Sequence, residues 1–301
     1  HRRSEVSTGR LPDLPVRCLA GRSPAPDAVA HSPNDMERPP LTDRDRRALV
    51  ATAGQFFVNG AMTASFIARA PQIRDRIGVT VDEFGLLLTI SAIAGVVGSL
   101  VAGRIVHAAS TRRVLQAGAV VMVLALPVIG AATHPAVWLI GMMAYSFVDV
   151  LVDISMNLQG SWISARRHAP VMNRLHGLWS MGTFAGGLGA VAANAAGMSV
   201  FAHLLIVVVV MAVTLVFVTR NLLATDEDGH HDAEPVDVTV EVTRRARLLP
   251  VVLLVAAGMF AVVAEVTGGD WATFRLTDDF GAAAALGSLA FAAYTVGMTV
   301  M

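Results

Sequence analysis

The sequence predicts an all-α membrane protein, a bundle of about eight spanning helices, on three observations. First, 54% of the 301 residues are hydrophobic and 15% are charged, with a mean hydropathy of +0.59, against about 25% charged in soluble domains. Second, from residue 46 onward the apolar residues gather into runs that suffice to cross a hydrocarbon core of about 30 Å, which takes roughly 20 helical residues. Third, no run alternates apolar and polar residues as a porin strand does. Backbone amides in lipid must be satisfied within the chain, so the runs are helices. Composition also excludes other classes. Formal net charge is zero, from 23 basic and 23 acidic residues, with no basic face for nucleic acid. The single cysteine, Cys18, permits neither an internal disulfide nor a cysteine metal cluster, and no metal or cofactor is expected.

Residues 1–35 carry Pro, Arg, Ser and Asp without an apolar period or the continuous apolar stretch of a signal peptide. Met36 precedes a short charged lead, ERPPLTDRDRR, and reads as the natural start; a disordered cytoplasmic tail is the alternative reading of what comes before it. Residues 1–45 thus stand outside the bundle as a disordered or non-native segment. Spans are expected at 47–69, 84–106, 114–132, 136–158, 174–196, 198–220, 248–269 and 283–301. His134-Pro135 and Gly197-Met198 leave room only for tight hairpins between the third and fourth and the fifth and sixth spans. The chain has no lysine, so arginines alone report orientation. Arg46, Arg47, Arg104, Arg112, Arg113, Arg166, Arg167, Arg174, Arg220, Arg244, Arg245 and Arg247 fall on one side, and the positive-inside rule makes that side, with the N-terminus, cytoplasmic. Residues 221–247 form a polar cytoplasmic linker whose His230-His231 pair reads as solvated. Six spans, a linker and more spans is the layout of transporters built from two six-helix halves. On that reading 46–220 is one half and 248–301 the first two helices of another, and the last run reaches Met301 before any closing charge, so the chain reads as truncated.

Carboxylates inside the spans need a reason, because one at mid-bilayer costs about 2.5–3.5 kcal/mol even on the translocon scale. Asp149, Asp153 and Asn157 repeat every four residues in the fourth span and share one helix face. Like charges one turn apart repel and are desolvated, and both effects disfavour the doubly ionised pair. That suits a proton-coupled step; hydrogen bonding that merely holds the bundle is the alternative. Gln55, Asn59 and Thr63 form a similar stripe in the first span, and Asn173, His176 and Ser180 another at the start of the fifth. Such stripes either line an aqueous cavity for a polar solute or act as interhelical glue worth about 0.6 kcal/mol per bond. Glu265 is the acid well inside the seventh span and the natural counterpart of Asp149 and Asp153, while Asp270 and Trp271 lie at the outer interface, where Trp is a normal belt residue. Trp179 is either a packing residue or part of a cavity wall. The glycines of the second and fifth spans let helix backbones approach closely.

The connection GRIVHAASTRRVL, from Gly103 to Leu115, resembles the loop signature of the major facilitator superfamily. Gly103, Arg112 and Arg113 match; His107 stands where the acid usually is, and Ser110 where the second glycine is. The stretches ARAPQIRDRIGVTVDEFG, MNLQG, MNRLHGLWSMGTFAGGLGA and EVTGGDW most resemble the fucose-permease-related branch of bacterial inner-membrane permeases, and the similarity covers residues 46–301. The resemblance implies a secondary transporter with a midplane site, moving a small polar, sugar-like solute by alternating access. It makes Asp149, Asp153 and Glu265 candidates for proton coupling. Gln55, Asn59, Asn157, Asn173, His176, Trp179, Asp270 and Trp271 become candidates for the solute cavity, and Gly103, His107, Arg112 and Arg113 for a gating loop. The expected partners are the solute, protons and the lipid bilayer; nothing in the pattern specifies an oligomer.

Two departures from the family pattern bear on mechanism. The fifth span has no proline in its glycine run, unlike drug/proton antiporters, which lowers the reading of an efflux permease for small hydrophobic compounds. With His107 in place of the acid, the loop lacks one partner of the usual charge relay. An enzyme is not expected. Asp149-Val-Leu-Val-Asp153 matches only the second half of the acid pattern of membrane CDP-alcohol phosphotransferases, and the Gly-x-Gly-Asp of intramembrane aspartyl proteases is absent. A non-transporting scaffold or fragment is the remaining class.

Overall fold

The computed structural model describes residues 42–167, 169–224 and 244–300. The N-terminal segment with Cys18 and Met36, and the linker stretch 225–243 with His230-His231, lie outside the described residues. Those described are helical, with no strand among them, in the order α1 (Asp43–Ile67), α2 (Ala70–Ile77), α3 (Val81–Ala109), α4 (Thr111–Ala131), α5 (Pro135–Arg166), α6 (Met172–Ala195), α7 (Val200–Asn221), α8 (Arg244–Phe274), a π-helical turn Arg275–Asp279, and α9 (Ala284–Val300). The all-α bundle expected from composition is what forms.

Two features differ from the sequence reading. The connection after the first span contains α2, which starts with Pro71 in its first turn and ends on Gly78 in the left-handed region, φ +71°. Proline at a helix start and glycine just past its end are ordinary boundary signals. Helices α1 and α3–α9 fall on the eight expected spans, but they differ in composition. Five helices, α3, α4, α5, α7 and the stretch Leu249–Asp279, are both long and apolar enough to cross a membrane by length and composition, and Ala284–Gly297 is a shorter apolar helix. Helices α1 and α6 have the length, 25 and 24 residues, but are less apolar because they carry the polar stripes.

Those two helices form the centre. A Cβ on Gly182 would collide with the carbonyl oxygen of Phe57, and one on Gly60 with that of Trp179, so the α1 and α6 backbones touch. Helix α5 packs between α3 and α4, α7 packs on α1 and α4, and α9 packs on α6. A core of Phe56, Met62, Phe84, Leu126, Trp138, Met156 and Leu204 joins α1, α3, α4, α5 and α7. In contrast, α8 leaves Leu249 through Leu254 exposed, with Leu254 at 76%, and meets the bundle through its last turns, where Phe274 packs on Phe84 at 5.6 Å.

The connections gather at two ends. At the hairpin end, the Arg69 guanidinium donates to the Met198 carbonyl (2.8 Å), Arg76 Nε to that of Ala132 (3.2 Å), and Arg74 pairs with Asp278. Thr80 and Glu83 close a capping box that starts α3. At the linker end, Arg44 donates to the carbonyls of Asn221 and Leu222 at 2.7 Å each, and Arg166 pairs with Asp45 at 3.0 Å. The buried Gln159 amide donates to Leu223 O (3.1 Å) and accepts from Leu223 N (3.0 Å), fixing the chain as it leaves α7.

Candidate functional site

Polar side chains of α1 and α5 meet Trp179 of α6 at mid-bundle. Asn59 is the meeting point. Its Nδ2 donates to Asp149 Oδ1 of α5 at 2.7 Å, and its Oδ1 accepts from Trp179 Nε1 of α6 at 2.9 Å. One turn away, Thr63 and Tyr145 share a hydroxyl–hydroxyl bond of 2.9 Å, and Tyr145 stacks edge-on against Phe66 with centroids 5.1 Å apart.

Trp179 and Thr63 face a cavity of about 110 Å³ between α1, α6, α8 and α9. Ser180 and Thr183 complete its α6 wall, Glu265, Gly269 and Asp270 its α8 wall, and Phe291, Tyr294 and Thr295 its α9 wall. The Tyr294 hydroxyl donates to the Glu265 carbonyl at 2.8 Å and ties α9 to α8 beside the cavity. Hydroxyl, indole, aromatic and carboxylate groups around this cavity can hydrogen-bond a polar solute and stack on its apolar face.

With this geometry in view, a family model, the Major Facilitator Superfamily, matches residues 51–301. The chain belongs to the Major Facilitator Superfamily. An uncharacterised MFS-type transporter of Yersinia pestis is 26% identical over 251 residues, covering 83% of this chain and 63% of the relative. An uncharacterised transporter of Sinorhizobium fredii is 21% identical over 253 residues, 83% of this chain and 64% of the relative. The membrane protein MosC of Rhizobium meliloti is 28% identical over 138 residues, 46% of this chain and 34% of its own length. The chain thus spans a little under two thirds of the length of the first two. Family membership and several apolar helices make this a multi-pass membrane protein of a transporter family.

Of the residues singled out in the sequence of this superfamily member, Trp179, Glu265 and Asp270 lie on the cavity wall, and Asn59 and Asp149 reach it through Trp179. Gln55 is buried one turn below Asn59, and its Oε1 has no partner among the described residues. Asp153 is bonded by the Asn157 amide at 3.1 Å and interacts electrostatically with His176, whose ring packs edge-on to Phe56 at 5.3 Å. Asn173 is exposed in the first turn of α6, off the cavity. Trp271 also lies off the wall; it stacks on Phe274 at 5.2 Å and meets α3 at Gly85, fastening α8 to α3.

The segment expected as a connection is helical except at Ser110, where α3 and α4 join: Gly103 lies in α3 and faces open space, and Arg112 of α4 donates to the carbonyl of Arg220 at 2.9 Å and holds the end of α7. His107 is exposed in the last turn of α3 and Arg113 in the first turn of α4. Ser110, at the usual glycine position, has φ +74° and ψ 151°, and among the described residues it alone of the non-glycines has positive φ. The turn demands a glycine-like backbone, which explains the residue type the loop signature carries there.

The sequence reading passed over Tyr145, Thr183, Phe291, Tyr294 and Thr295. Tyr145 had a signal: it stands four residues before Asp149 and extends the Asp149–Asp153–Asn157 stripe by a turn. The chain has only two tyrosines, and both sit beside the cavity inside apolar helices rather than in an interfacial belt.

Proposed function

We propose that this protein is a secondary transporter that moves a small polar solute, sugar-like in its hydrogen-bonding groups, by alternating access coupled to protons. Residues 46–220 serve as the six-helix half and 248–301 as the opening helices of the second, with the N-terminus cytoplasmic in a bacterial inner membrane. The observation that carries the reading is the connected set Asp149–Asn59–Trp179, which links a carboxylate within the helices to a cavity also lined by Glu265 and Asp270. A carboxylate in that setting is costly, which favours a functional role for it. In this reading Asp149, Asp153 and Glu265 carry the proton, Trp179 and Asp270 contact solute, and Gly103, His107, Arg112 and Arg113 form the gating loop. Arg112 supports that last role by tying the loop to the end of α7.

A second reading, export of small amphipathic compounds, draws support from the apolar side of the same cavity, Ala64, Ile67 and Phe291. Proton flux across liposomes containing the purified full-length protein tests the first. Candidate polar solutes are expected to drive proton movement, and Asp149→Asn to reduce it at least tenfold, equivalent to about 1.4 kcal/mol or more in the coupled step. Unchanged flux in the Asp149→Asn, Asp153→Asn double variant contradicts the coupling assignment.

A further inference from the structure

The hydrogen bonds around Asn59 follow from the chemistry of its neighbours. An indole nitrogen is a donor only, so the Asn59 oxygen must face Trp179, and the amide nitrogen is left for Asp149. This orientation works while Asp149 is a carboxylate, which only accepts. Its bond from the amide is then charge-assisted and roughly twice as strong as a neutral one. A proton from the aqueous phase added to an Asp149 oxygen removes that charge assistance and leaves a group that donates through its O–H as well as accepting through its C=O, so the hold on the amide weakens and the O–H can turn to Asn59. The side-chain oxygen of Asn59 is then sought by two donors, the carboxylic O–H and the indole N–H. An amide turned over to serve Asp149 presents its NH2 to the Trp179 N–H, donor against donor, and the indole is released.

We propose that Asn59 is a positioning residue that switches between two orientations and makes the Trp179 indole in the cavity wall report whether Asp149 is protonated. The proposal deepens the reading of the cavity as a solute site and rests on it for its biological meaning. Three features suit Asn59 to the role. It is 5% exposed, so water does not supply a substitute partner freely. Its neighbour Gly60 lies against the Trp179 backbone, so α1 and α6 cannot drift apart to blur the two orientations. Trp179 is half-buried and stands on the cavity wall, where a turn of the indole alters the space offered to solute.

Other titratable groups lie within reach of this arrangement. Tyr145 and Asp153 flank Asp149 on its own helix, and His176 of α6 acts on Asp153. Helices α8 and α9 bring Glu265, Asp270 and Tyr294 to the opposite wall. Titratable residues of α1, α3, α4 and α7 lie toward the helix ends.

Ultraviolet resonance Raman spectra of the full chain in solute-free nanodiscs test the proposal, with the Trp179→Phe spectrum subtracted to isolate this indole. The expected result is a hydrogen-bonded N–H signature at mildly alkaline pH that is lost at mildly acid pH and returns on reversal. Asp149→Asn should remove the pH response, and Asn59→Ala should give the released signature at every pH. A wild-type signature that stays constant across the range, or a response that survives in Asp149→Asn, overturns the proposal. Should Asn59→Ala fail to fold, the wild type and the isosteric Asp149→Asn decide it alone. A pH response confined to the wild type in a protein that drives no solute flux supports the switch and contradicts only the reading of the cavity.

Discussion

Helices α1 and α7 lie side by side and follow opposite rules. Helix α7 contains the most apolar window among the described residues, with a mean hydropathy of 2.9, yet 33% of that window is buried. Helix α1 is too polar to qualify as a span on composition, yet 13 of its 25 residues are buried, among them Gln55, Asn59, Thr52 and Ser65. In a soluble protein the ranking would reverse, because apolar surface flees water. Here lipid takes the apolar faces of α3 and α7, and Asn59 and Thr63 of α1 turn with Trp179, Ser180 and Thr183 of α6 to each other or to the cavity. Polarity inside this bundle marks the interior.

The largest expected effect separates the two kinds of helix. Gly182→Leu places a side chain against the Phe57 backbone and should cost at least the roughly 1–3 kcal/mol of ordinary overpacking, with loss of the folded protein in detergent thermal unfolding. Gly103→Leu in α3, where a Cβ meets nothing within 4 Å, should leave the melting temperature unchanged or higher. Equal effects would break the distinction between interior and lipid-facing helices.

Next in size is the joint between α3 and α4. Ser110 is 6% exposed, its Oγ has no partner among the described residues, and its backbone is in a glycine region. Such strain costs on the order of 1–3 kcal/mol, so Ser110→Gly should stabilise the protein by about 1 kcal/mol, and Ser110→Val should destabilise it. Denaturation of the two variants in the same detergent checks both signs. The smallest effect is at the hairpin end, where Thr80→Ala removes the exposed N-cap of α3 and should cost about 0.5 kcal/mol, the low end for a cap; reversible unfolding should show a shift below that of either Ser110 variant.

Helix positions were legible in the sequence because an apolar run of bilayer length has few other uses. Helix α2 was missed because Arg74, Asp75 and Arg76 leave it no apolar run, although Pro71 and Gly78 marked its ends. Helix α5 continues to Arg166, past the expected end at 158, because tertiary contacts hold the added turns: Gln159 bonds the Leu223 backbone and Arg166 pairs with Asp45 at the linker end. The candidate site was half legible. Four-residue spacing marked Asn59 and Asp149 as facing inward, but spacing along one helix does not say which stripe meets which. That depends on helix rotation and packing, here imposed by Gly60, Gly182 and Gly186, which bring Trp179 to Asn59. The α9 wall carried no signal beyond Tyr294, because Phe291 and Thr295 look like any residues of an apolar helix.

The contrast between the polar interior and the apolar lipid face is tested most directly by thiol labelling. Cys18 is the sole cysteine, so a Cys18→Ser background is free of thiols. In membranes, a small water-soluble thiol reagent should modify Ser180→Cys, on the cavity wall of α6, and leave Val213→Cys, 71% exposed on α7, unlabelled. Labelling of Val213→Cys with Ser180→Cys protected would contradict the account, because α7 would then face water and the polar stripes would be packing alone.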